Sequence, residues 1–310
     1  LETLPNIDIN IKCGNSLVSR FAIDANLAHG LNRGLKSKWS IDSYKIAVST
    51  YRNAENKEQK REMERLIADI KSDFRSEITR NDPKLKRLYN LNGELVKLTT
   101  QHSIFELSQK EKADLDTKVK KLTDEIQKLE ADIEAIKANK IYENAFEWRF
   151  EFPEVLNDDG DFVGFDVVIG NPPYGASLSE NEKLWLLNKF HNQDYQLDTY
   201  LLFIEQVYNL INVFAEFTFI IPNTWITNLK FKKIRRFIFE NTFVHEIVHY
   251  NKSVFEDAVV DTEVLFFKKI RKPNPNISIK IAQNINQFVT NNISQIDWIE
   301  SQGEPVNIHI

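Results

Sequence analysis

The stretch Phe165–Gly175 reads Phe-Asp-Val-Val-Ile-Gly-Asn-Pro-Pro-Tyr-Gly, and it decides how the rest of the chain is interpreted. The apolar run after Asp166 has the length and composition of a buried parallel strand. We expect this strand to end at Gly170. It then delivers Asn171–Tyr174 to its carboxyl end, which is where open α/β sheets bind their ligands.

The residues after the strand form an acceptor pair beside an aromatic ring. The prolines fix φ and remove two backbone donors, so the turn is stiff. The side-chain oxygen of Asn171 and the carbonyl of Pro172 then accept hydrogen bonds at one point. A planar amine that donates two protons fits there, and Tyr174 offers a ring face for stacking. A Pro-Pro turn that merely closes a strand is the plainer alternative.

The composition predicts a cytoplasmic globular protein. Of the 310 residues, 42% are hydrophobic, which is enough for two domains or one large one. The single cysteine, Cys13, excludes an internal disulfide framework and favours a reducing compartment. No apolar run is long enough for a membrane helix, so we expect no membrane partner. The net charge of −5 argues against wholesale wrapping of nucleic acid but allows a local basic face.

Residues 36–145 differ from the rest because charged residues dominate and Gly93 is the only glycine. Apolar residues there follow a heptad spacing, as in Leu115, Val119, Leu122, Ile126, Leu129, Ile133 and Ile136. The pattern predicts a coiled-coil-like helical insertion, folded as an antiparallel hairpin or three-helix arm, with Pro83 separating two of its helical stretches. Self-association through an intermolecular coiled coil is the alternative.

Sequence patterns also predict the elements outside the insertion. Alternating Ile7, Ile9 and Ile11 predict a half-buried strand ending at Gly14. Residues 199–214 predict a buried helix. Further strands are predicted at Phe217–Pro222, Val244–Tyr250, Glu263–Lys268 and Ile277–Ala282.

These patterns predict four segments. Residues 1–35 and 146–270 form one α/β core, interrupted by the helical insertion at 36–145. Residues 271–276 contain two prolines and predict a linker. We therefore expect residues 271–310 to contain this linker and the start of a C-terminal, target-recognition domain.

Four stretches in order resemble the gamma-class N6-adenine DNA methyltransferases, above all the methyltransferase region of type IIG restriction–modification enzymes. They are Ile11–Leu17, Phe146–Pro153 with Phe165–Gly175, Asp198–Glu205 with Phe219–Trp225, and Val254–Phe267. The resemblance implies a doubly wound, Rossmann-like core that uses S-adenosylmethionine. It implies methyl transfer to the exocyclic amine of an adenine flipped out of double-stranded DNA.

The same resemblance assigns roles to individual residues. Asn171 and the Pro172 carbonyl would orient the target amine, while Tyr174 and Phe255 would stack on the two sides of the base. Asn15, Phe203 and Pro173 would contact the cofactor. For the two phenylalanines, an ordinary place in the core is the alternative.

One family feature is absent. None of the nine glycines is separated from another by a single residue, so the Gly-x-Gly cofactor loop is missing. In the resembling enzymes this loop precedes the strand that Ile7, Ile9 and Ile11 predict here. We therefore expect a core truncated at its amino end, cut from a longer parent enzyme. The isolated chain is expected to be inactive and to bind S-adenosylmethionine weakly or not at all.

Two further motifs need interpretation. A basic run predicts a DNA-phosphate contact face, with a solvated helix face as the alternative; it comprises Lys230, Lys232, Lys233, Arg235 and Arg236. The motif His245-Glu-Ile-Val-His249 matches the zinc-protease pattern, which requires a helix. Its residues favour a strand, in which positions 245 and 249 lie about 13 Å apart at roughly 3.3 Å per residue, so we predict no metal.

Two rival functions remain open at this point. A methyltransferase that acts on RNA or on a protein glutamine would use the same acceptor pair, although the large insertion argues against such a compact enzyme. An inert module that binds a partner through the helical arm would explain the missing glycine loop.

Overall fold

A computed structural model of the chain describes residues 7–20, 23, 39–81, 83–101, 109–138, 142–194, 197–250, 254, 261–273, 275–284, 287–306 and 308. The chain divides into two compact units. The first comprises Leu1–Asn15 and Ser19–Phe162, and the second comprises Ser16–Val18 and Val163–Ile310.

The first unit is helical. Its α-helices are α1 (Ile41–Arg52), α2 (Lys57–Asn81), α3 (Pro83–Gln101), α4 (Gln109–Ala138) and α5 (Trp148–Glu151), with short 3₁₀ turns at Ile7–Asn10 and Pro153–Val155. Ser40 begins α1 by accepting a hydrogen bond from the Ser43 N–H. The apolar face of α1 then packs against Ile70, Phe150 and Leu156.

Helices α3 and α4 pair within the chain, as the heptad spacing predicts. Pro83 begins α3, where its missing N–H costs nothing. Leu91 and Ile126 are buried at the seam, with 2% and 6% of their surfaces exposed. Arg87 and Glu125 form an ion pair of 2.8 Å beside them. The intramolecular arm is therefore present in the fold.

The strand predicted from Ile7, Ile9 and Ile11 is wrong. Residues 7–10 form a 3₁₀ turn, and Ile11 is 71% exposed. A strand needs a partner for its backbone, and the pairing described here is a single bridge between Asn15 and Ala145. Alternating side chains alone could not supply that partner.

The second unit contains one six-stranded mixed sheet. Its strands are β1 (Phe165–Gly170), β2 (Ile211–Pro222), β3 (Phe243–Tyr250), β4 (Thr262–Lys268), β5 (Asn276–Asn284) and β6 (Gln287–Ser294). The order in the sheet is β1-β2-β4-β3-β5-β6. The pairs β1/β2 and β3/β5 are parallel, and the other three pairs are antiparallel.

The described residues of the second unit also form five α-helices and a short 3₁₀ turn at Leu229–Phe231. The helices are α6 (Glu180–Lys189), α7 (Thr199–Leu210), α8 (Thr224–Thr227), α9 (Lys232–Asn241) and α10 (Gln295–Glu300). Apolar side chains of α7 to α10 pack on one sheet face, against Phe217, Phe219 and Phe267 among others. The second unit thus has the mixed α/β class predicted from the sequence.

Strand β1 has the predicted bounds but not the predicted surroundings. It pairs with β2 at the edge of the described sheet, and Val167 and Ile169 are 58% and 79% exposed. Only its other face, through Val168, packs against the core. The apolar run therefore predicted the strand correctly, whereas the prediction that both of its faces are buried is wrong.

The predicted helix 199–214 ends early, at Leu210. Residues 211–216 begin β2, because the β-branched Ile211 pairs with Phe165 of β1. The ammonium of Lys269 donates to the carbonyls of Tyr208 and Ile211, at 2.7 and 2.9 Å, and so satisfies the helix end. Burial lowers the pKa of this lysine.

Residues beyond 276 extend the same sheet. Strand β5 pairs with β3 over five positions, and β6 pairs with β5. Ile277, Ile279 and Ile281 belong to the core shared with β2 and β4. The expectation of a separate C-terminal domain starting after a linker at 271–276 is therefore wrong for the described residues.

Among the described residues, none of the helices combines the length and the apolar character that crossing a membrane requires.

Candidate active site

The loop after β1 lies at the carboxyl ends of the parallel strands β1 and β2. Gly170, the last residue of β1, pairs with Phe219 of β2. A Cβ on Gly170 would come within 2.5 Å of the Phe219 ring, so only glycine allows the ring to lie there. This close approach fixes where Asn171 leaves the sheet.

The hydroxyl of Tyr174 ties the loop together. It lies 2.9 Å from the side-chain oxygen Oδ1 of Asn171 and 2.9 Å from the carbonyl of Ile220 in β2. One hydroxyl proton serves both acceptors, and Oδ1 has two lone pairs, so it keeps capacity for a second donor. Asn171 is exposed. Burial raises the pKa of Tyr174, so the hydroxyl stays protonated and able to donate at neutral pH.

The first residues of α7 hold the other side of the loop. The Thr199 hydroxyl donates to the Pro173 carbonyl at 2.7 Å. The Gly175 N–H donates to Asp198 at 3.3 Å, and Gly175 has a φ of +59°. Burial raises the pKa of Asp198, although this N–H and those at the start of α7 oppose the shift.

A chain of buried polar contacts continues below the loop. The Tyr200 hydroxyl lies 2.9 Å from that of Thr224, and burial raises the pKa of this tyrosine. The indole N–H of the neighbouring Trp225 donates to Glu263 at 2.8 Å. Glu263 also lies 3.0 Å from Nδ1 of His249. These contacts satisfy groups that would be costly to bury alone.

The other predicted cofactor and base contacts have different surroundings. Pro172 is buried and Pro173 exposed, both in the loop. Phe203 of α7 is half-buried and packs against the core, as its alternative interpretation anticipates. Asn15 belongs to the first unit, where its N–H donates to the Asn144 carbonyl at 2.6 Å. Phe255 lies outside the described residues.

Arg235 is not the predicted phosphate contact. Its side chain is completely buried. The guanidinium donates to the carbonyls of Gly303 and Trp225, each at 2.8 Å, and to that of Asn228 at 2.6 Å. Burial lowers its pKa, but a guanidinium remains charged in proteins. It therefore links α9 to residues 225–228 and to Gly303.

The other four basic residues of the run remain on the surface. Lys230, Lys232, Lys233 and Arg236 are all exposed. Lys232 forms an ion pair with Glu304, and Arg236 forms one with Glu240 at 2.6 Å. Their exposure is compatible with phosphate contact and equally with a solvated helix face.

The paired histidines lie in a strand, as predicted, and on opposite faces of it. A bulge between Val244 and Glu246 turns His245 toward Phe266, with ring centroids 5.8 Å apart. His249 instead meets Glu263, three residues from Phe266 in β4 and therefore on the other face. Burial lowers the pKa of His245. This geometry is wrong for a shared zinc ion.

Comparison with known protein families identifies the chain. The profile of the Eco57I restriction-modification methylase family matches residues 36–255, which is more than half of the sequence. The chain belongs to this family. Membership confirms the resemblance to type II restriction–modification methyltransferases that the sequence motifs indicated.

Two curated proteins are similar to parts of this chain. RM.MjaORFECS2P of Methanocaldococcus jannaschii is 24% identical over 295 residues, covering 86% of the present chain and 22% of that protein. The Escherichia coli type II restriction enzyme and methyltransferase RM.Eco57I is 30% identical over 132 residues, covering 41% of the chain and 13% of the enzyme. The chain therefore spans less than a quarter of either relative.

Solved structures of restriction enzymes are also similar in part. The type IIG restriction endonuclease BpuSI aligns with 56% of the chain and 25% of its own length, at 17% identity and a TM-score of 0.37. The EcoKI M protein, part of a type I restriction enzyme, aligns with 41% of the chain and 27% of its own length, at 19% identity and a TM-score of 0.31.

Sequence reasoning missed the residues that hold the loop from outside. The loop is contacted by Asp198, Thr199 and the Ile220 carbonyl. Between residues 198 and 222 the sequence motifs assign a role to Phe203 alone. Asp198 and Thr199 lie in a polar start before an apolar helix, which is an N-cap pattern. That pattern indicated a helix start but not its neighbour in space.

Proposed function

We propose that the complete protein transfers a methyl group from S-adenosylmethionine to the exocyclic amine of adenine in double-stranded DNA, within a restriction–modification system. The observation that carries this proposal is the exposed Asn171 side chain, held by Tyr174 at the carboxyl edge of two parallel strands. Family membership supports DNA methylation, and the amine chemistry of the loop supports the choice of target atom.

In this mechanism the loop binds the amine and orients it. Asn171 Oδ1 and the Pro172 carbonyl accept hydrogen bonds from its two N–H groups, which directs the nitrogen lone pair toward the methyl donor. Because a neutral amide is a weak base, Asn171 stabilises charge that develops on the nitrogen and does not remove a proton in advance. The bound donor would supply the methyl group, so that the N–C bond would form as the S–C bond breaks, and the amine would then lose a proton to solvent.

The target base has to leave the duplex to reach this loop. Flipping costs a few kcal/mol of unstacking, part of which an aromatic contact returns. The Tyr174 ring is half-buried and meets Tyr200 edge to face, with centroids 6.1 Å apart. Its remaining surface would stack on the base. Phe255 is proposed for the opposite side on the resemblance alone.

We propose Pro173 and Phe203 as cofactor contacts, because the exposed Pro173 and the half-buried Phe203 fit an apolar ligand surface. For Asn15, which belongs to the first unit, a hydrogen bond to the cofactor's adenine is proposed on the resemblance alone. S-adenosylmethionine supplies an electrophilic methyl group on a sulfonium. DNA phosphates would contact Lys230, Lys232, Lys233 and Arg236, and Arg235 is excluded from this set by its burial.

The test incubates the complete gene product with S-adenosylmethionine labelled in its methyl group and, separately, with plasmid DNA, ribosomal RNA and a release factor. We expect label in DNA, recovered as N6-methyladenine. Recovery as N4-methylcytosine would overturn the choice of base. Label in RNA or protein would overturn the substrate class. No transfer to any substrate, with the cofactor demonstrably bound, would favour an inert module.

A further inference from the structure

Three consecutive residues at the start of α7 contact three consecutive residues of the loop. Thr199 donates to the carbonyl of Pro173, and Asp198 accepts from the N–H of Gly175. Tyr200 meets the ring of Tyr174 edge to face at 6.1 Å. Every residue of Pro173–Gly175 is thus held by one residue of Asp198–Tyr200.

These contacts constrain the backbone where it is least able to hold itself. Pro172 and Pro173 have no N–H, so no hydrogen bond from either nitrogen can anchor them. Gly175, at a φ of +59°, is free to adopt many conformations. The Thr199 hydroxyl and the Asp198 carboxylate supply anchors on both sides of Tyr174, whose hydroxyl in turn contacts Asn171.

The anchors themselves rest on rigid structure. Thr199 and Tyr200 are 3% and 0% exposed. The hydroxyl of Tyr200 forms a hydrogen bond with that of Thr224, which follows β2. The start of α7 therefore cannot shift without disturbing the core. A group held this firmly is suited to fix the loop within the few tenths of an ångström that in-line transfer demands.

We infer that Asp198 and Thr199 are positioning residues, which set the orientation of Asn171 for methyl transfer by anchoring Gly175 and Pro173. The inference deepens the proposed function and rests on it for its kinetic consequence. Neither residue touches the amine or the cofactor in this role. Both act through the loop, so their loss lowers kcat more than it raises KM.

Two pairs of variants separate positioning from other roles. Thr199→Val removes the hydroxyl and keeps the shape, whereas Thr199→Ser keeps the hydroxyl. Asp198→Ala removes the acceptor for Gly175, whereas Asp198→Asn keeps an acceptor oxygen. We expect kcat to fall about tenfold in Thr199→Val and Asp198→Ala. The two conservative variants should stay within about threefold of the wild type.

Thr242→Val is the matched control for a purely structural loss. Thr242 is 2% exposed, and its hydroxyl donates to the Ile238 carbonyl at 2.7 Å, the same distance as for Thr199. Thr242 directly precedes β3, whose first residue pairs with Lys268 at one end of β4, whereas Pro222 pairs with Thr262 at the other end. We expect Thr242→Val to lower the melting temperature as much as Thr199→Val does, with kcat unchanged.

The experiment measures methyl transfer to unmethylated plasmid DNA and, on the same samples, amide hydrogen exchange of residues 171–177, all in the complete gene product. We expect faster exchange at Tyr174 and Gly175 in Thr199→Val and Asp198→Ala only. Unchanged exchange in both would overturn the inference whatever the activity. A wild type that methylates nothing would overturn the proposed function, while the exchange data would still decide the anchoring. Equal loss of kcat in Thr242→Val would reduce the effect to stability and overturn the positioning role.

Discussion

The helices of the first unit and the sheet of the second are stabilised in different ways. Helices α3 and α4 are neighbours in sequence and bury a narrow apolar seam, while most of their charged side chains remain in solvent. The sheet joins segments far apart in sequence, and its core contains buried charged and polar groups such as Arg235 and Glu263. Heptad spacing between neighbouring segments thus accounts for the arm, whereas the site depends on long-range contacts.

The largest effect on stability is expected from Arg235→Ala, which tests the long-range half of this comparison. The buried carbonyls of Gly303 and Trp225 would lose this donor, and the part-buried carbonyl of Asn228 would keep only the N–H of Phe231. We expect the free energy of unfolding to fall by about 3–5 kcal/mol. Arg236→Ala, next to it on the exposed face of α9, should change it by less than about 0.5 kcal/mol.

Urea denaturation of both variants measures this difference. Equal midpoints for Arg235→Ala and the wild type would mean that the guanidinium does not cross-link the core. The predicted contact of Arg235 with DNA phosphates would then again be the better explanation of this residue.

A smaller loss is expected from Leu91→Ala, which tests the local half. Leu91 is 2% exposed at the seam of α3 and α4. A cavity there should cost about 2–3 kcal/mol and should open the arm while leaving the sheet intact. Val96→Ala, on the same helix at 62% exposure, is the control and should cost less than about 0.5 kcal/mol.

Amide hydrogen exchange resolves the two regions. Protection should fall in α3 and α4 and persist in β2 and β4. If the sheet loses protection together with the arm, the two regions are not independently stabilised and the comparison fails.

A modest effect on DNA binding is expected from Lys233→Ala. Loss of one phosphate contact should weaken binding about threefold at physiological salt and reduce the salt-dependence slope by about 1, irrespective of DNA sequence. Lys280→Ala is the control, because Lys280 on β5 forms an ion pair of 2.7 Å with Glu246 on β3. Fluorescence anisotropy at several salt concentrations measures both. An unchanged slope in Lys233→Ala would leave α9 as a solvated helix face.

The smallest effect concerns the pH dependence of stability in Asp198→Asn. Since burial raises the pKa of Asp198, the folded state holds this proton more tightly than the unfolded state does. The contribution of this carboxyl group to the stability of the folded state is therefore lost as pH rises from the ordinary pKa of 3.8 through the raised pKa. Asp198→Asn should be slightly more stable at neutral pH, and this advantage should vanish below pH 3.8. Thermal denaturation across that range measures it; an advantage that grows in acid would refute the burial argument.

Local patterns predicted local structure well. The bounds of β1, the position of the Asn171–Tyr174 turn after it and the pairing of α3 with α4 all depend on residues close in sequence. The strand assignment of His245 and His249 was correct for the same reason. β-branched residues and heptad spacing carry that information directly.

Long-range pairing was not readable from one sequence. Strands β5 and β6 join the sheet through β3, and no local pattern states that partnership. Arg235 did leave a signal, since it lies four residues from both Phe231 and Phe239, on the buried stripe of α9. A run of basic residues hid that periodicity. The contacts of Asp198 and Thr199 with the loop likewise required the fold.

The most direct test of the central claim is Asn171→Ala in the complete gene product. Removing the side-chain acceptor should lower the rate of methyl transfer to DNA by at least about a hundredfold, because an acceptor aimed at developing charge is lost. Binding of S-adenosylmethionine, measured by titration calorimetry, should stay within about twofold of the wild type. Methyl transfer at the wild-type rate by Asn171→Ala would contradict the account, because the amine would then be oriented without Asn171.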